Sequence, residues 1–291
     1  MAMAAIPMTI IGLTNSIQPR QFTVSTADTA KKDSVKFSTF KDLPLKAERT
    51  IQFNTQEGTW MSLDVSPDGN TIAFDMMGDI YTMPMTGGKA KQITKGLSFD
   101  AHPRFSPDGK KILFTSDRSG ADNLWVLNLQ TNDTLQITKT NVDDYPSAVW
   151  TPDGKYIIAS KGRRLPRLWM YHVDGGGGIQ LNDQPSNQKT IDPYVSADGK
   201  WVYFSQRNGP WNYNALLPQY QIGAYNIAKG EYSTITSRYG SAFTPTLSKD
   251  GKWMVYGTRH EDKTGLILRN LVNGQERWLA YPVQRDEQES I

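Results

Sequence analysis

Apolar and polar residues alternate at period two in five short runs: Ile72 and Phe74, Ile112 and Phe114, Ile157 and Ala159, Val202 and Phe204, Met254 and Tyr256. Such spacing puts the apolar side chains on one face of a β-strand. Before each run stands a shorter apolar segment ending in Val65, Phe105, Trp150, Val195 or Leu247, with Leu63, Pro103, Ala148, Pro193 or Pro245 two residues earlier. After each comes a third run, at 79–83, 123–127, 167–171, 221–225 and 265–269, and then a brief fourth at 92–94, 136–138, 180–182, 234–236 and 277–279. The chain therefore predicts one four-strand unit, repeated five times.

What separates the first strand of each unit from the second is also repeated. Ser66-Pro67-Asp68-Gly69 recurs as Ser106-Pro107-Asp108-Gly109, Thr151-Pro152-Asp153-Gly154, Ser196-Ala197-Asp198-Gly199 and Ser248-Lys249-Asp250-Gly251, with Asp-to-Asp intervals of 40, 45, 45 and 52 residues. Pro pre-sets φ, Asp bonds its own backbone and Gly takes the left-handed position, which predicts a three-residue hairpin loop with a bulge. Four strands every 40–50 residues is the period of a propeller blade. The fold class is thus all-β, a β-propeller of four-stranded antiparallel blades at about 58–95, 98–139, 143–183, 189–237 and 241–280.

The second unit carries a family resemblance. Its run from Pro103 to Gly120, with Phe105-Ser106-Pro107-Asp108-Gly109-Lys110-Lys111-Ile112 and Thr115-Ser116-Asp117-Arg118-Ser119-Gly120, followed by Asn123-Leu124-Trp125-Val126, resembles the WD-like repeat of TolB-type propellers. The likeness extends over about residues 58–280 and is weaker in the fourth and fifth units. The first unit, Glu57-Gly58-Thr59-Trp60-Met61-Ser62-Leu63-Asp64-Val65 with Gly78-Asp79-Ile80-Tyr81, is similar to the propellers fused ahead of exported metal-dependent amidohydrolases. These resemblances imply a non-catalytic scaffold or binding region. Either it belongs to a larger exported hydrolase, or it is a stand-alone periplasmic module that binds protein or peptide partners.

One strand falls outside the count. The segment 50–54, centred on Ile51 and Phe53, matches the last strand of a blade and precedes the first inner strand as 92–94 precedes the second. Propellers close by letting such a strand complete the final blade. The fifth blade already has its own outer strand, so this one is an orphan and its three partners are expected beyond Ile291. The propeller spans 47–281 on this reading, residues 282–291 begin a continuation, and the ring is incomplete. The other arrangement is a closed five-bladed ring with a spare edge strand.

Ahead of the propeller, residues 1–21 open with an almost wholly apolar or small run that resembles the core of a signal peptide, although no Lys or Arg precedes Arg20. Thirteen such residues are too few for a membrane span. Residues 22–46, rich in Thr, Ser, Lys and Asp, read as a linker. Export to the periplasm is the expectation.

Composition narrows the function classes. The net charge of +3 comes from 32 basic and 29 acidic residues mixed along the chain, so no basic stripe argues for nucleic acid. There is no cysteine, hence no thiolate metal site or thiol nucleophile. No G-x-S-x-G elbow, H-x-H or H-E-x-x-H motif occurs, and the histidines His102, His172 and His260 stand alone. Gly175 to Gly178 follows a strand but opens no helix, so it reads as a hairpin turn rather than a phosphate cradle. Met76, Met77, Met83 and Met85 read as packing. No catalytic, cofactor or metal residue is assigned.

Two surfaces remain as candidates. Residues leading into the inner strands, Trp60, Asp100, His102, Asp143, Asp144, Tyr145, Asp192 and Thr244, are expected to converge at one mouth of the central channel. The carboxylates there suit a cation or basic ligand, or serve as ordinary turn caps. His102 reads as a channel-lining hydrogen-bonder. The 52-residue interval holds an aromatic insertion with Trp211, Tyr213, Leu216, Leu217 and Tyr220, which either contacts a partner or folds back over its own blade.

Overall fold

The computed structural model describes residues 6–12, 48–58, 61–183, 185–208, 219–261 and 263–283, with backbone alone for 6–12, Thr50 and Asn208. Strands β1 (Ile6–Gly12) and β2 (Arg49–Thr55) precede the blades. Blade one comprises β3 (Leu63–Val65), β4 (Thr71–Met76), β5 (Asp79–Pro84) and β6 (Lys91–Gln92). Blade two comprises β7 (Asp100–Phe105), β8 (Lys111–Ser116), β9 (Asn123–Asn128) and β10 (Thr134–Gln136), and blade three β11 (Ser147–Trp150), β12 (Tyr156–Lys161), β13 (Arg167–His172) and β14 (Ile179–Gln180). Blade four holds β15 (Gln188–Val195), β16 (Trp201–Asn208), β17 (Gln221–Asn226) and β18 (Tyr232–Thr234), and blade five β19 (Phe243–Leu247), β20 (Trp253–His260), β21 (Lys263–Asn270) and β22 (Glu276–Val283). Every blade is an antiparallel sheet whose sequential strands are neighbours. The architecture is the five-bladed all-β propeller expected from the period.

The inner hairpin differs from expectation by one residue. Ser66 N–H donates to Thr71 O at 2.8 Å and Gly69 N–H to Ser66 O at 2.8 Å, so four residues, not three, lie between the paired positions. The reason is the side chains. Ser66 Oγ donates to Asp68 Oδ1 at 2.5 Å and accepts from Thr71 N–H at 2.9 Å, while Asp68 Oδ1 also accepts from Asn70 N–H at 3.1 Å. The fourth loop residue supplies that last amide. The same three bonds form around Ser106, Thr151, Ser196 and Ser248, including the two turns that lack proline. The hydroxyl at the first position is therefore the hub of the turn.

Blades stack through apolar clusters. Ala73 and Ile80 of blade one meet Phe105, Ile112 and Phe114 of blade two. Leu113, Leu124 and Val126 meet Trp150, Ile157 and Tyr171 of blade three, and Ile158 and Leu168 then meet Val195, Val202 and Phe204 of blade four. Ile222 meets Leu247, Met254 and Tyr256 of blade five. Polar bonds tie the inner strands across the same joints: Phe105 N–H to Asp64 Oδ2 at 2.7 Å and Trp150 Nε1–H to Arg104 O at 3.1 Å.

The seam between blades five and one is different. Pro103, Phe105, Ala148, Trp150, Pro193, Val195, Pro245 and Leu247 are all buried against the preceding blade, yet their counterparts Leu63 and Val65 are 58% and 38% exposed. Across the same gap, Leu266 is half-buried where Ile80, Leu124, Leu168 and Ile222 are fully buried. Lys249 Nζ of the fifth turn donates to Pro67 O of the first. Farther out, Phe53 of β2 packs against Phe74, Met76 and Tyr81 on the face of blade one that points away from blade two.

Strand β2 joins none of the five blades, as expected of a spare strand. It pairs antiparallel with β1, in the register Met8↔Phe53 and Ile10↔Ile51. An unpaired edge leaves a row of backbone donors and acceptors open, and a second extended segment satisfies it. The segment that supplies it lies within the apolar run read as a leader. Trp60, Trp211, Tyr213, Leu216 and Leu217, the linker and the continuation from residue 284 lie outside the described residues.

Candidate channel-mouth site

Three inner strands carry the same local device. His102, Asp192 and Thr244 each precede a proline, have φ of 58°, 53° and 53°, and sit where the pairing register of β7, β15 and β19 slips. Proline disfavours the right-handed helical region for the residue before it, and a bulge leaves one residue without a ladder partner. The freed amides turn to a neighbouring blade. His102 N–H donates to Asp75 Oδ2 at 2.6 Å, Asp192 N–H to Ser147 Oγ at 2.8 Å and Thr244 N–H to Ser205 Oγ at 2.7 Å. A left-handed non-glycine residue costs roughly 1–3 kcal/mol, so the clasps hold the backbone in a strained form.

The side chains at these positions form two hydrogen-bonded polar groups. Asp75 Oδ1 accepts from Ser62 N–H at 2.8 Å, and Ser62 Oγ lies 2.8 Å from His102 Nδ1. Asp192 Oδ2 accepts from Ser205 Oγ at 3.1 Å and Thr244 Oγ1 at 3.2 Å. The first group ties blade one to blade two and the second ties blade four to blade five, and the charges of Arg104 and His102 work against the burial that raises the Asp192 carboxyl. Burial raises the Asp64 carboxyl and the Tyr194 phenol, with the charge of Arg104 working the other way in both.

Burial dominates the electrostatics. It pulls the His102 imidazole below its usual 6.5, against the opposing pull of Asp75. It pushes the carboxyl of Asp192 above the usual 3.8, with the bonds from Ser205 and Thr244 working the other way. Asp122 is likewise raised by burial, then by the charges of Asp144 and Asp117. The mouth thus favours neutral hydrogen-bonding groups over ions.

A pH dependence follows from Asp192. Its folded pKa exceeds the unfolded one, so the folded state holds the proton longer and stability falls as pH rises from about 3.8 through the folded value. Asp192→Asn keeps an acceptor for Ser205 and Thr244 and removes that penalty. The variant is expected to be at least as stable as the wild type at pH 7, with the advantage vanishing below pH 3.8. Urea denaturation at both pH values checks it; a less stable variant at pH 7 would contradict the assignment.

Not every expected mouth residue reaches the mouth. Asp100 is fully buried inside blade two, 2.6 Å from Arg118 Nη2, and offers nothing to a ligand. Tyr145 is buried between blades two and three, its Oη 3.1 Å from that of Tyr171, because an aromatic ring at this joint has apolar neighbours to fill. Asp143 is paired with Lys161 at 3.3 Å and Asp144 with Arg163 at 3.4 Å. Tyr220 is buried too, with the Arg207 guanidinium 5.5 Å over its ring, so it presents no contact surface. Asp192 and Thr244 do come together, whereas His102 joins Ser62 and Asp75. Ser62, Asp75 and Ser205 join them unannounced, although the repeated X-Pro dipeptides at His102, Asp192 and Thr244 marked where to look.

Among the described residues no group of three or more His, Asp or Glu side chains is arranged to hold a metal ion, and no helix is long and apolar enough to cross a membrane.

Comparison with known proteins agrees with the geometry. The family model for the tricorn protease N-terminal β-propeller domain matches residues 61–208. An uncharacterized peptidase, YuxL, from Bacillus subtilis is 26% identical over 207 residues, which is 66% of this chain and 28% of that protein. The Tol-Pal system protein TolB of Francisella tularensis is 26% identical over 198 residues, 66% of this chain and 43% of TolB. The chain thus spans less than half the length of these curated relatives. Among solved structures, TolB from Acinetobacter baumannii superposes with a TM-score of 0.65 at 23% identity, over 82% of this chain and 58% of that one.

Proposed function

This chain belongs to the tricorn protease N-terminal β-propeller family, and we propose that it is a non-catalytic binding propeller which presents a protein or peptide segment to a hydrolase domain of the same protein. The observation that carries this reading is the channel mouth. Three strained positions, in blades two, four and five, present His102, Asp192 and Thr244, a mixed set of donors and acceptors suited to backbone amides and polar side chains. That peptidases stand among the relatives, each longer than this chain, supports a larger hydrolase as the parent. The amidohydrolase reading of the first blade has no such support, so the hydrolase class is left at peptide-bond chemistry. Export to the periplasm belongs to the same proposal, supported by the likeness to TolB.

A second reading, a periplasmic module that acts by binding alone, is favoured by the superposition on TolB. Both readings require peptide binding at the mouth. In fluorescence anisotropy with a pool of labelled octapeptides, the intact chain is expected to bind and the paired change Arg104→Met with Asp192→Asn to weaken binding at least tenfold, about 1.4 kcal/mol. Binding unchanged in that variant would remove the mouth from the proposal.

A further inference from the structure

We propose that the cleft between blades two and three is a binding site for a neutral, polyhydroxylated ligand of monosaccharide size. It is separate from the channel mouth. One wall is the segment 135–140 at the outer edge of blade two, the other the hairpin loop 174–177 of blade three, and Tyr145, Tyr171 and Lys161 close the inner end. The space measures about 460 Å³. Small-ligand pockets run from about 300 to 1,000 Å³, so one sugar ring fits with water to spare.

The lining selects the ligand class. Tyr145 Oη and Tyr171 Oη lie 3.1 Å apart and share one hydrogen bond, which uses one of the two phenolic protons and leaves the other to donate. Burial holds the Tyr171 phenol well above its usual value, so it acts as a donor and not as an anion. Lys161 is fixed from two sides, 3.3 Å from Asp143 Oδ2 and 4.1 Å above the Trp169 ring, and its ammonium has a third proton to offer. Trp169 in turn stacks on Tyr171 at 6.3 Å and 18°. A rigid floor of donors beside a paired carboxylate matches vicinal hydroxyls, which both give and accept.

Other ligand classes fit worse. An anion would meet Asp143 and the exposed Asp174, and an organic cation would meet Lys161 and Lys139. An apolar molecule would leave the phenol and ammonium donors without partners. The glycines of the loop keep the entrance open: a Cβ at Gly176 or Gly177 would meet nothing within 4 Å.

The test uses the intact chain and the methyl glycosides of glucose, galactose, mannose and N-acetylglucosamine, followed by saturation-transfer NMR and calorimetry. At least one glycoside is expected to bind. Gly177→Trp, which places a ring in the entrance at a position with room for a side chain, is expected to weaken that binding tenfold or more without changing the melting temperature. Lys161→Met, which keeps the stem over Trp169, should weaken it too, and octapeptides should not compete. Failure of all four glycosides to bind, binding that survives Gly177→Trp, or saturation by inorganic phosphate instead would each overturn the proposal. None of these results bears on peptide binding at the channel mouth.

Discussion

Arg118→Ala is expected to destabilise the protein by about 3–5 kcal/mol, because it strips the counter-charge from a carboxylate that has no access to water. Asp100 is fully buried, its Oδ2 receives Arg118 Nη2 at 2.6 Å, and its Oδ1 has no hydrogen-bond partner among the described residues. The guanidinium is held in turn by Ser116 Oγ at 3.0 Å and lies 5.0 Å and 5.3 Å from the ring centres of Phe114 and Trp125. At roughly 2–4 °C per kcal/mol for a domain of this size, the melting temperature should fall by about 6–20 °C. Removing both charges together, as Asp100→Asn with Arg118→Met, should cost much less, since a buried pair replaced by matched neutral groups is often close to neutral. Urea titrations of the two variants decide it. Equal losses in single and double variants would mean that ring packing, not charge, is what Arg118 provides.

The second large effect is expected at Gly240, where the chain enters blade five. Its φ is +91°, and a Cβ there would lie 2.1 Å from the carbonyl oxygen of Arg259, whose own amide donates to Gly240 O at 2.9 Å. Strained backbone costs about 1–3 kcal/mol and overpacking a further ~1–3 kcal/mol, so Gly240→Ala should lose roughly 2–6 kcal/mol. Gly251 provides the comparison. It has a φ of +67° with nothing within 4 Å of the added carbon, so Gly251→Ala carries the backbone strain alone. If the two alanine variants melt together, steric overlap with Arg259 is not what makes Gly240 necessary.

The blades were legible because two independent signals coincide in every unit, a period-two strand and an Asp-Gly turn at a fixed offset from it. Local rules read such features well, since the atoms involved lie within six residues of one another. They read the loop length less well. Pro67 and Gly69 suggested a three-residue loop, whereas the Ser66 hydroxyl and the Asp68 carboxylate require a fourth residue to complete their bonds. The channel site was legible only in part, for a related reason. Ser62 and His102 are 40 positions apart, Asp75 and His102 27, and Asp192 and Thr244 52, so the fold alone brings them together. Asp100 looked like a mouth residue from its offset to the turn, but Arg118 draws it into the blade. Tyr220 sat in an aromatic insertion that could face a partner or fold back on its own blade, and it is buried beside Arg207 of that blade.

The uncovered inner strand of blade one changes what kind of object this propeller is. In a sealed circle every blade has two flanks, and no unit can leave without tearing two joints. Within the described residues, the exposure of Leu63 and Val65 on one side and of Leu266 on the other makes the circle behave as a bent stack whose weakest joint, spanned by Lys249 and Pro67, lies between blades five and one. Such a stack follows nearest-neighbour thermodynamics: the interior unit, blade three, is held from both sides, and disorder enters at the termini and travels inward. Whatever fills the gap beside Leu63 therefore does more than cover two apolar side chains. It converts a chain that can unzip into a loop that must break.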